Sequence, residues 1–442
     1  MSITVHKNKI GLLSIIAISV SGIIGSGWLF SAYIGAKSAG SAVYVSWFIT
    51  LFFFILMALA VSEIVSLFPI RGIVGRMGAM SHNKFFGAIF SFAIWLELVG
   101  SLPGEAQASV QYLSNISPSL SHSLMENGSL TFLGLFVTLL FLVFFWAVNL
   151  FGVKLFAKIN NTIAVFKIFI PVFTALLIMA YAFDSTNFKA YHHEFMPYGV
   201  NSIMLAITAS GMIYAFNGFQ LASAFASEIK NPKINLPLGM VLSIIICFAI
   251  YLLLQTAFIG ALEHTPLATY GWHHLNYNSP FLQLTMFLGL NFMAVVLYAD
   301  ACLSPTGTGI TFVGGASRIL YSMAAEKQMP GWLAKLHPVY NYARRAMIFN
   351  FFVALIFLAL FHSWAALILF ITALIVLMYM VIPISLIAFR KTLKKEREFQ
   401  LPFAFPICAL LFVIQSVFFI FIGFENMSYL TIAITVFMIL SA

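Results

Sequence analysis

The chain has 442 residues, of which 62% are hydrophobic and only 8% are charged, and its mean hydropathy is +1.01. Soluble proteins carry about 25% charged residues, so this composition excludes a soluble enzyme, a nucleic-acid-binding protein and a disordered chain. It is typical of a membrane protein with many helices, for which the lipid bilayer is the solvent. The alternating pattern of a membrane β-barrel is absent. We therefore predict an all-α integral membrane protein that contacts the lipid bilayer and no nucleic acid.

Twelve apolar stretches approach or exceed the length of about 20 residues that a helix needs to cross the hydrocarbon. We number them as spans 1 to 12 and predict membrane helices at residues 11–36, 41–68, 85–113, 130–150, 156–183, 201–227, 236–262, 291–324, 346–361, 364–389, 403–423 and 427–442. Residues 279–290 are predicted to form an extra helix on the outer side, beginning at Ser279 and Pro280.

The basic residues predict the orientation, because cytoplasmic loops carry an excess of Lys and Arg. With the N-terminus in the cytoplasm, 18 of the 22 basic residues fall on inner segments, and only Lys37 and Lys189 fall on outer loops. We therefore predict a multi-pass protein of the cytoplasmic (inner) membrane with both termini cytoplasmic, and we assign the net charge of +9 to topology. The inner residues are Lys7, Lys9, Arg71, Arg76, Lys84, Lys154, Lys158, Lys230, Lys233, Lys327, Lys335, Arg344, Arg345, Arg390, Lys391, Lys394, Lys395 and Arg397.

Small and polar residues interrupt the middle of two spans. Residues 21–27 of span 1 contain three glycines and two serines, a pattern that would also suit a small-residue packing face. Residues 214–220 of span 6 repeat the interruption with Asn217, Gly218 and Gln220. Paired interruptions in two halves of a membrane protein indicate a transporter site. Unwound helices expose N–H groups for a carboxylate and carbonyls for an ammonium, so the breaks are expected to hold both ends of an α-amino acid.

Several segments resemble one transporter family. Residues 22–30, 216–220 with 227–232 and Pro237, and 315–330 resemble the first, sixth and eighth helices of the amino acid–polyamine–organocation (APC) superfamily. A more specific likeness is to the bacterial aspartate–proton symporter branch. It is carried by residues 24–30 with Ala36, residues 105–112 and 154–158, and Asp300 with residues 304–309. The resemblance covers nearly the whole chain.

The resemblance implies the five-plus-five inverted-repeat fold shared with the bacterial leucine transporter, in which helices 1 and 6 are broken. The first repeat is then residues 1–183, with helices 1 to 5, and the second is residues 201–390, with helices 6 to 10. Residues 400–442 would hold helices 11 and 12, and we expect the C-terminus to be truncated.

The two breaks supply the predicted substrate contacts. The N–H groups of residues 25–27 are expected to bind the substrate carboxylate, and the ring of Phe216 is expected to cover the ligand. The full predicted set is Ile24, Gly25, Ser26, Gly27, Ala215, Phe216, Asn217, Gly218 and Gln220.

Ionisable residues inside spans are costly, so they are candidates for proton coupling. Lys167 lies nine residues beyond Lys158, about 13 Å further along span 5 and near the middle of the membrane. Burial disfavours its charged form, and the resemblance implies that a lysine here replaces the sodium ion of related transporters, close to spans 1 and 8. A static ion pair is the alternative. Asp300 is expected to pair with Lys167 or to relay its proton, and Glu105 is expected to gate or to titrate.

We therefore expect a secondary active amino acid transporter that works by alternating access. Proton-coupled symport of an acidic or small polar amino acid is the first hypothesis. Exchange of neutral amino acids, or of an amino acid for an amine, is the alternative. An enzyme would need a convergent catalytic set, and a sensor would need a soluble signalling segment; the sequence shows neither. No cofactor or metal is expected, the proton gradient is the predicted driving force, and the sequence specifies no oligomeric state.

Overall fold

The structure, a computed structural model, describes residues 11–70, 73–150, 153–337, 343–393 and 397–441, without the side chains of 153–164, 224–228, 440 and 441. The 154–158 segment used for the family resemblance therefore lies outside the described side chains. So do some of the basic residues that predicted the orientation, namely Lys7, Lys9, Arg71, Lys154, Lys158, Lys394 and Lys395.

The described chain is mostly helical. Its first nine α-helices are α1 (Leu12–Ile23), α2 (Gly27–Ala39), α3 (Val43–Leu67), α4 (Ile73–Ser81), α5 (Lys84–Leu113), α6 (Pro118–Leu124), α7 (Phe132–Leu150), α8 (Val153–Tyr181) and α9 (Gly199–Ala209). The next nine are α10 (Met212–Phe216), α11 (Pro232–Gly260), α12 (His264–Tyr270), α13 (Pro280–Phe287), α14 (Asn291–Ala325), α15 (Arg344–Leu360), α16 (Trp364–Thr392), α17 (Ala404–Ile422) and α18 (Phe424–Ser441). Two short strands, β1 (Met125–Glu126) and β2 (Ser129–Leu130), pair antiparallel.

A helix, or a pair of helices, coincides with each of the twelve predicted spans, and α13 coincides with the predicted outer helix. Within the described residues, six helical segments are long and apolar enough to cross a membrane: Gly27–Leu67, Lys84–Ile116, Phe132–Leu150, Pro232–Gly260, Trp364–Thr392 and Ala404–Ile422. The pair Gly199–Ala209 and Met212–Ser223, bent by 51°, would make a seventh. The count of twelve crossings and the inverted repeat stay predictions.

Span 1 is broken between α1 and α2. The helix α1 ends at Ile23, and Ile24 takes an extended backbone conformation with φ −79° and ψ 102°. A new helix, α2, then begins at Gly27. We call residues 24–26 the span 1 break.

Span 6 is interrupted twice. Gly211 has a φ of +79°, a left-handed conformation that favours glycine, and it separates α9 from α10. Helix α10 ends at Phe216, Asn217 is extended, and Gly218 has a φ of +111°. A 3₁₀ helix, Phe219–Glu228, follows. We call residues 217–218 the span 6 break.

The two broken spans pack directly against each other. A Cβ atom added to Gly218 would lie only 2.5 Å from the carbonyl oxygen of Gly22. A Cβ atom added to Gly27 would lie 3.0 Å from the Cβ of Ala215. The Oγ of Ser19 also donates a hydrogen bond of 3.0 Å to the carbonyl of Phe219. Small residues therefore let the two backbones approach closely.

The remaining helices enclose these breaks. Helix α5 packs against α14 and α16, and α8 packs against α11 and α14. Near the C-terminal ends of α3 and α16, the buried Glu63 of α3 forms salt bridges with Arg390 at 2.6 Å and Arg397 at 3.2 Å. Its carboxylate also accepts the N–H of Leu401 at 2.8 Å. This cluster fixes the end of α16 to α3, because a buried carboxylate needs compensating partners.

Candidate functional site

A carboxylate of the chain itself occupies the span 1 break. Glu105 of α5 is fully buried, and its Oε2 accepts the backbone N–H of Ser26 at 3.0 Å. Its other oxygen accepts a hydrogen bond from the hydroxyl of Tyr214. A Cβ atom on Gly25 would lie 2.8 Å from the same Oε1, so glycine is what allows the carboxylate to sit there. The break can therefore bind a carboxylate through a backbone N–H group.

Lys167 lies at the junction of α1, α8 and α14. The side chain is 1% exposed, and its Nζ donates to the Oγ1 of Thr308 at 2.6 Å and to the carbonyl of Ser21 at 3.2 Å. Among the residues that the structure describes, no carboxylate forms a salt bridge with it. The static ion pair considered from the sequence is therefore not formed. Lys167 instead bonds to a hydroxyl and to a carbonyl at the end of α1.

Asp300 lies on α14 and is fully buried. Within the described part of the chain, neither of its carboxyl oxygens has a hydrogen-bond partner, and the same holds for the Oγ of Ser304, one turn later. Asp300 is close enough to Lys167 for an electrostatic interaction, but the two do not form the salt bridge that the sequence allowed.

A second polar network holds the span 6 break. The Nδ2 of Asn217 donates to the carboxyl group of Glu97 at 2.7 Å, and its Oδ1 accepts the hydroxyl of Tyr379 at 2.7 Å. The Nε2 of Gln220 also donates to that Oδ1, at 3.1 Å, and its Oε1 accepts the N–H of Gly218 at 3.1 Å. Since Glu97 is on α5 and Tyr379 is on α16, the network ties the break to both helices.

Two aromatic residues near the breaks have different surroundings. The Phe216 ring is fully buried and packs against Phe54 at 5.3 Å and Tyr251 at 5.3 Å. By contrast, the Nε1 of Trp364 donates to the Oγ of Ser26 at 3.1 Å, and its ring lies 4.4 Å from that of Phe30. The role of Phe216 as a cover for the substrate stays a prediction, and Trp364 is the ring that the structure places at the break.

The structure places most of the predicted residues at the two breaks or in contact with residues there, namely Ile24, Gly25, Ser26, Gly27, Ala215, Asn217, Gly218, Gln220, Lys167 and Glu105. Phe216 packs in the core, and Asp300 bonds to none of the described residues. Their roles in binding and in proton coupling stay predictions.

Three residues at the breaks were not predicted as site residues: Tyr214, Trp364 and Tyr379. Tyr214 could have been recognised from the sequence, because its hydroxyl lies in the interrupted segment 214–220, two residues before the end of α10. The other two lie on α16 in an apolar run without an interruption, so nothing in the sequence distinguished them.

Comparison with known proteins gives the same family. Residues 10–441 match the amino acid permease family. The glutamate/serine transporter AimA of Bacillus subtilis (strain 168) is 40% identical over 387 residues, which are 87% of this chain and 71% of that protein. The aspartate-proton symporter of the same organism is 29% identical over 427 residues, 96% of this chain and 81% of that protein.

A third relative, the branched-chain amino acid permease BcaP of Bacillus subtilis (strain 168), is 24% identical and covers 75% of this chain and 70% of its own length. The expected APC membership is confirmed, since the family match extends over nearly all of the chain and agrees with the paired breaks. The chain belongs to the amino acid permease family of the APC superfamily, and it is a multi-pass transmembrane amino acid transporter.

Proposed function

We propose that this protein is a proton-coupled symporter of an acidic or small polar amino acid in the cytoplasmic membrane. It would carry the amino acid unchanged, by alternating access, on twelve helices arranged as five plus five with two more. The named relatives support this substrate class, because one is a glutamate/serine transporter and another is an aspartate-proton symporter. As in those relatives, the activity would be transport and not catalysis.

One observation carries the proposal: the Glu105 carboxylate accepts the Ser26 N–H inside the span 1 break. A substrate amino acid brings a carboxylate of the same kind and would use the same N–H group. The two carboxylates cannot share one donor in a dry site, since like charges in close contact repel. Glu105 must therefore take up a proton and withdraw before the substrate binds. This exchange couples one proton to one substrate molecule.

The rest of the substrate would meet the two breaks. Its ammonium group needs acceptors, and the end of α1 and the span 6 break supply carbonyl groups. The amide groups of Asn217 and Gln220 would be the donors for a second carboxylate on the side chain.

The protonation state of Lys167 would change how tightly α1, α8 and α14 are held together. With a proton, its Nζ holds Thr308 and the Ser21 carbonyl, as in the structure, and draws α1, α8 and α14 together. The neutral Lys167 amine has one N–H donor fewer than the ammonium and carries no charge. Its hydrogen bonds at this junction are therefore weaker. The two forms would favour different openings of the site.

The test is uptake by the purified protein in proteoliposomes. Radiolabelled glutamate, aspartate, serine, alanine and leucine are offered with an acid outer solution and with no pH gradient. We expect accumulation of the acidic or small polar members only with the gradient, and its loss with a protonophore. Uptake that requires an internal amino acid and ignores the gradient would instead support exchange.

A further inference from the structure

The buried carboxyl groups outnumber the buried cations. Within the described membrane core, Glu97, Glu105 and Asp300 are all at most 1% exposed, whereas Lys167 is the one buried lysine. Glu63, the other fully buried acid, is compensated by two arginines near the C-terminal ends of α3 and α16. Several uncompensated charges in a low-dielectric interior would cost many kcal/mol. The three acids and Lys167 must therefore hold protons beyond the single one that the proposed function requires.

Glu97 and Glu105 are hydrogen-bonded, whereas Asp300 is not. Asn217 and Ser101 donate to Glu97, and Ser26 and Tyr214 donate to Glu105. Both oxygens of Asp300 lack a partner among the described residues. A permanently neutral structural acid would normally find a partner, because an unsatisfied buried polar group is costly. Among the described residues, no hydrogen bond therefore ties Asp300 to one protonation state.

Asp300 begins a column of polar side chains on α14. Ser304 and Thr308 follow at intervals of four residues, which keeps all three on one side of the helix at steps of about 6 Å. The Oγ of Ser304 has no partner among the described residues, and the Oγ1 of Thr308 is the acceptor of the Lys167 Nζ at 2.6 Å. One water molecule in each step would span about 6 Å with two hydrogen bonds. The column thus runs from an unpartnered acid to the lysine.

We propose that Asp300 carries a second proton in each transport cycle and passes it along Ser304 and Thr308 to Lys167, so that two protons accompany each substrate molecule. This inference rests on the proposed function and assigns its stoichiometry. Asp300 takes up its proton from the outer side, where α14 begins in the predicted topology. The groups that face it electrostatically are Lys167 of α8, Tyr112 of α5 and Cys302 of α14.

The transfer is balanced in protons and charge. The Asp300 carboxyl group loses a proton, each bridging water and each hydroxyl of the column accepts one and gives up another, and the neutral Lys167 amine gains one. A neutral acid and amine thereby become a carboxylate and an ammonium in electrostatic contact. Release of the ammonium proton toward the cytoplasm, with reloading of Asp300, completes the cycle. With a substrate of net charge −1, two protons make uptake electrogenic, and an inside-negative potential would drive it.

The test uses proteoliposomes with an imposed pH gradient and zero membrane potential. It measures the ratio of substrate concentrations across the membrane at which net transport stops. One pH unit balances about a tenfold substrate gradient for one proton and about a hundredfold gradient for two. We expect a balancing substrate gradient of about a hundredfold per pH unit for the wild type and of about tenfold for Asp300→Asn. Glu194→Gln, a matched carboxyl-to-amide change on an exposed outer loop, should keep the wild-type value.

A wild-type balance near tenfold overturns the second proton but leaves the symporter intact. A balance near a hundredfold in Asp300→Asn overturns the role of Asp300. If that variant fails to insert, Asp300→Ser replaces it, because its small hydroxyl fits the same space and carries no net proton. For Asp300→Ser, a balancing substrate gradient of about tenfold per pH unit supports the inference, and one of about a hundredfold contradicts it. Absence of any gradient-driven uptake by the wild type would instead refute the proposed function.

Discussion

At the scale of single residues, the proposed link between substrate and proton depends on the Ser26 N–H group. It donates to a carboxylate of the chain itself, and that carboxylate also holds the Tyr214 hydroxyl. Hydrogen bonds to ionised acceptors are roughly twice as strong as neutral ones. A charged Glu105 is therefore a strong internal competitor for this N–H, and a neutral side chain of the same shape is a weaker one.

We predict that Glu105→Gln binds substrate more tightly at neutral pH, with an apparent Kd lower by about tenfold, and that binding no longer depends on pH. A tenfold change corresponds to about 1.4 kcal/mol, in the range of one charge-assisted hydrogen bond. Equilibrium binding between pH 5 and 8 measures both effects. Accumulation driven by a pH gradient should fall to the value for a single proton, about tenfold per pH unit. An unchanged pH profile of binding would contradict the internal competition.

Lys167 leads to a different prediction, because it holds helices and not the substrate. Lys167→Ala removes the donor to Ser21 and Thr308, so gradient-driven accumulation should fall to the equilibrium ratio of one, whereas substrate binding should persist. Lys167→Arg should also fail, since a guanidinium does not release its proton in this range. Uptake is measured beside equilibrium binding for both variants. If Lys167→Ala still concentrates substrate, the protons on Glu105 or Asp300 drive transport without Lys167, and its proposed role is wrong.

At the scale of elements, the two broken spans work as one unit because their backbones touch. A valine at position 27 would place its Cβ 3.0 Å from the Cβ and 3.1 Å from the Cα of Ala215, in a place where backbone would have to move. We predict that Gly27→Val inserts in the membrane but loses at least about tenfold in transport rate. Gly331→Ala is the control, because a Cβ atom at Gly331 meets open space and the variant should transport normally. Gly199 is unsuitable as a control position because its φ of +73° strains any other residue. Normal uptake by Gly27→Val would contradict the span 1 assignment.

The short helix α10 is anchored by aromatic packing. The ring of Phe216 is fully buried between α3 and α11, where it contacts Trp47, Phe54 and Tyr251. Removal of such a ring costs about 3–5 kcal/mol through lost contacts and a cavity. We predict that Phe216→Ala lowers the thermal unfolding temperature in detergent more than it weakens substrate binding. A loss of affinity with unchanged unfolding temperature would instead favour the role of this ring as a cover.

At the scale of the whole molecule, alternating access requires one gate to open while the other stays closed. The network of Glu97, Asn217, Gln220 and Tyr379 joins the span 6 break to α5 and α16. In the proposed alternating-access cycle this network would close one side and would have to break when that side opens. Its stability would then set how often the molecule opens there.

We predict that Tyr379→Phe favours that opening. The change removes the hydroxyl that donates to the Oδ1 of Asn217 and lies 3.0 Å from the Oε1 of Gln220. Loss of a buried hydrogen bond costs about 1–3 kcal/mol, which would raise the open population by about five- to 150-fold. A cysteine introduced at Ala222, two residues beyond Gln220, in a variant whose Cys247, Cys302 and Cys408 are replaced by serine, reports the opening by its reaction with a membrane-permeant thiol reagent. Tyr44→Phe, which loses an outer hydroxyl bonded to Thr256, is the control. Equal labelling of the two variants would refute the gate.

The sequence alone determined the class, the helix positions and the two breaks. Membrane helices are recognisable in a sequence because a helix that crosses the hydrocarbon needs a run of about 20 mainly apolar residues. The breaks were visible because glycine and polar residues are rare in the middle of such runs. Lys167, Asp300 and Glu105 stood out for the same reason, since an ionisable residue in hydrocarbon is costly unless it has a use.

Only the tertiary structure decided which of these groups meet. Glu105 and Ser26 are 79 positions apart, and Trp364 reaches Ser26 across 338, so neither contact has a signature in local sequence. Lys167 turned out to bond Thr308 and not Asp300, because side-chain direction on α8 and α14 selects the partner and helical spacing does not. Phe216 faces α3 and α11 for a similar reason: the break at Gly211 rotates α10 by an angle that no periodicity encodes. In a bilayer every span is apolar on nearly all sides, so the pattern that reveals a helix gives little information about which face packs inward.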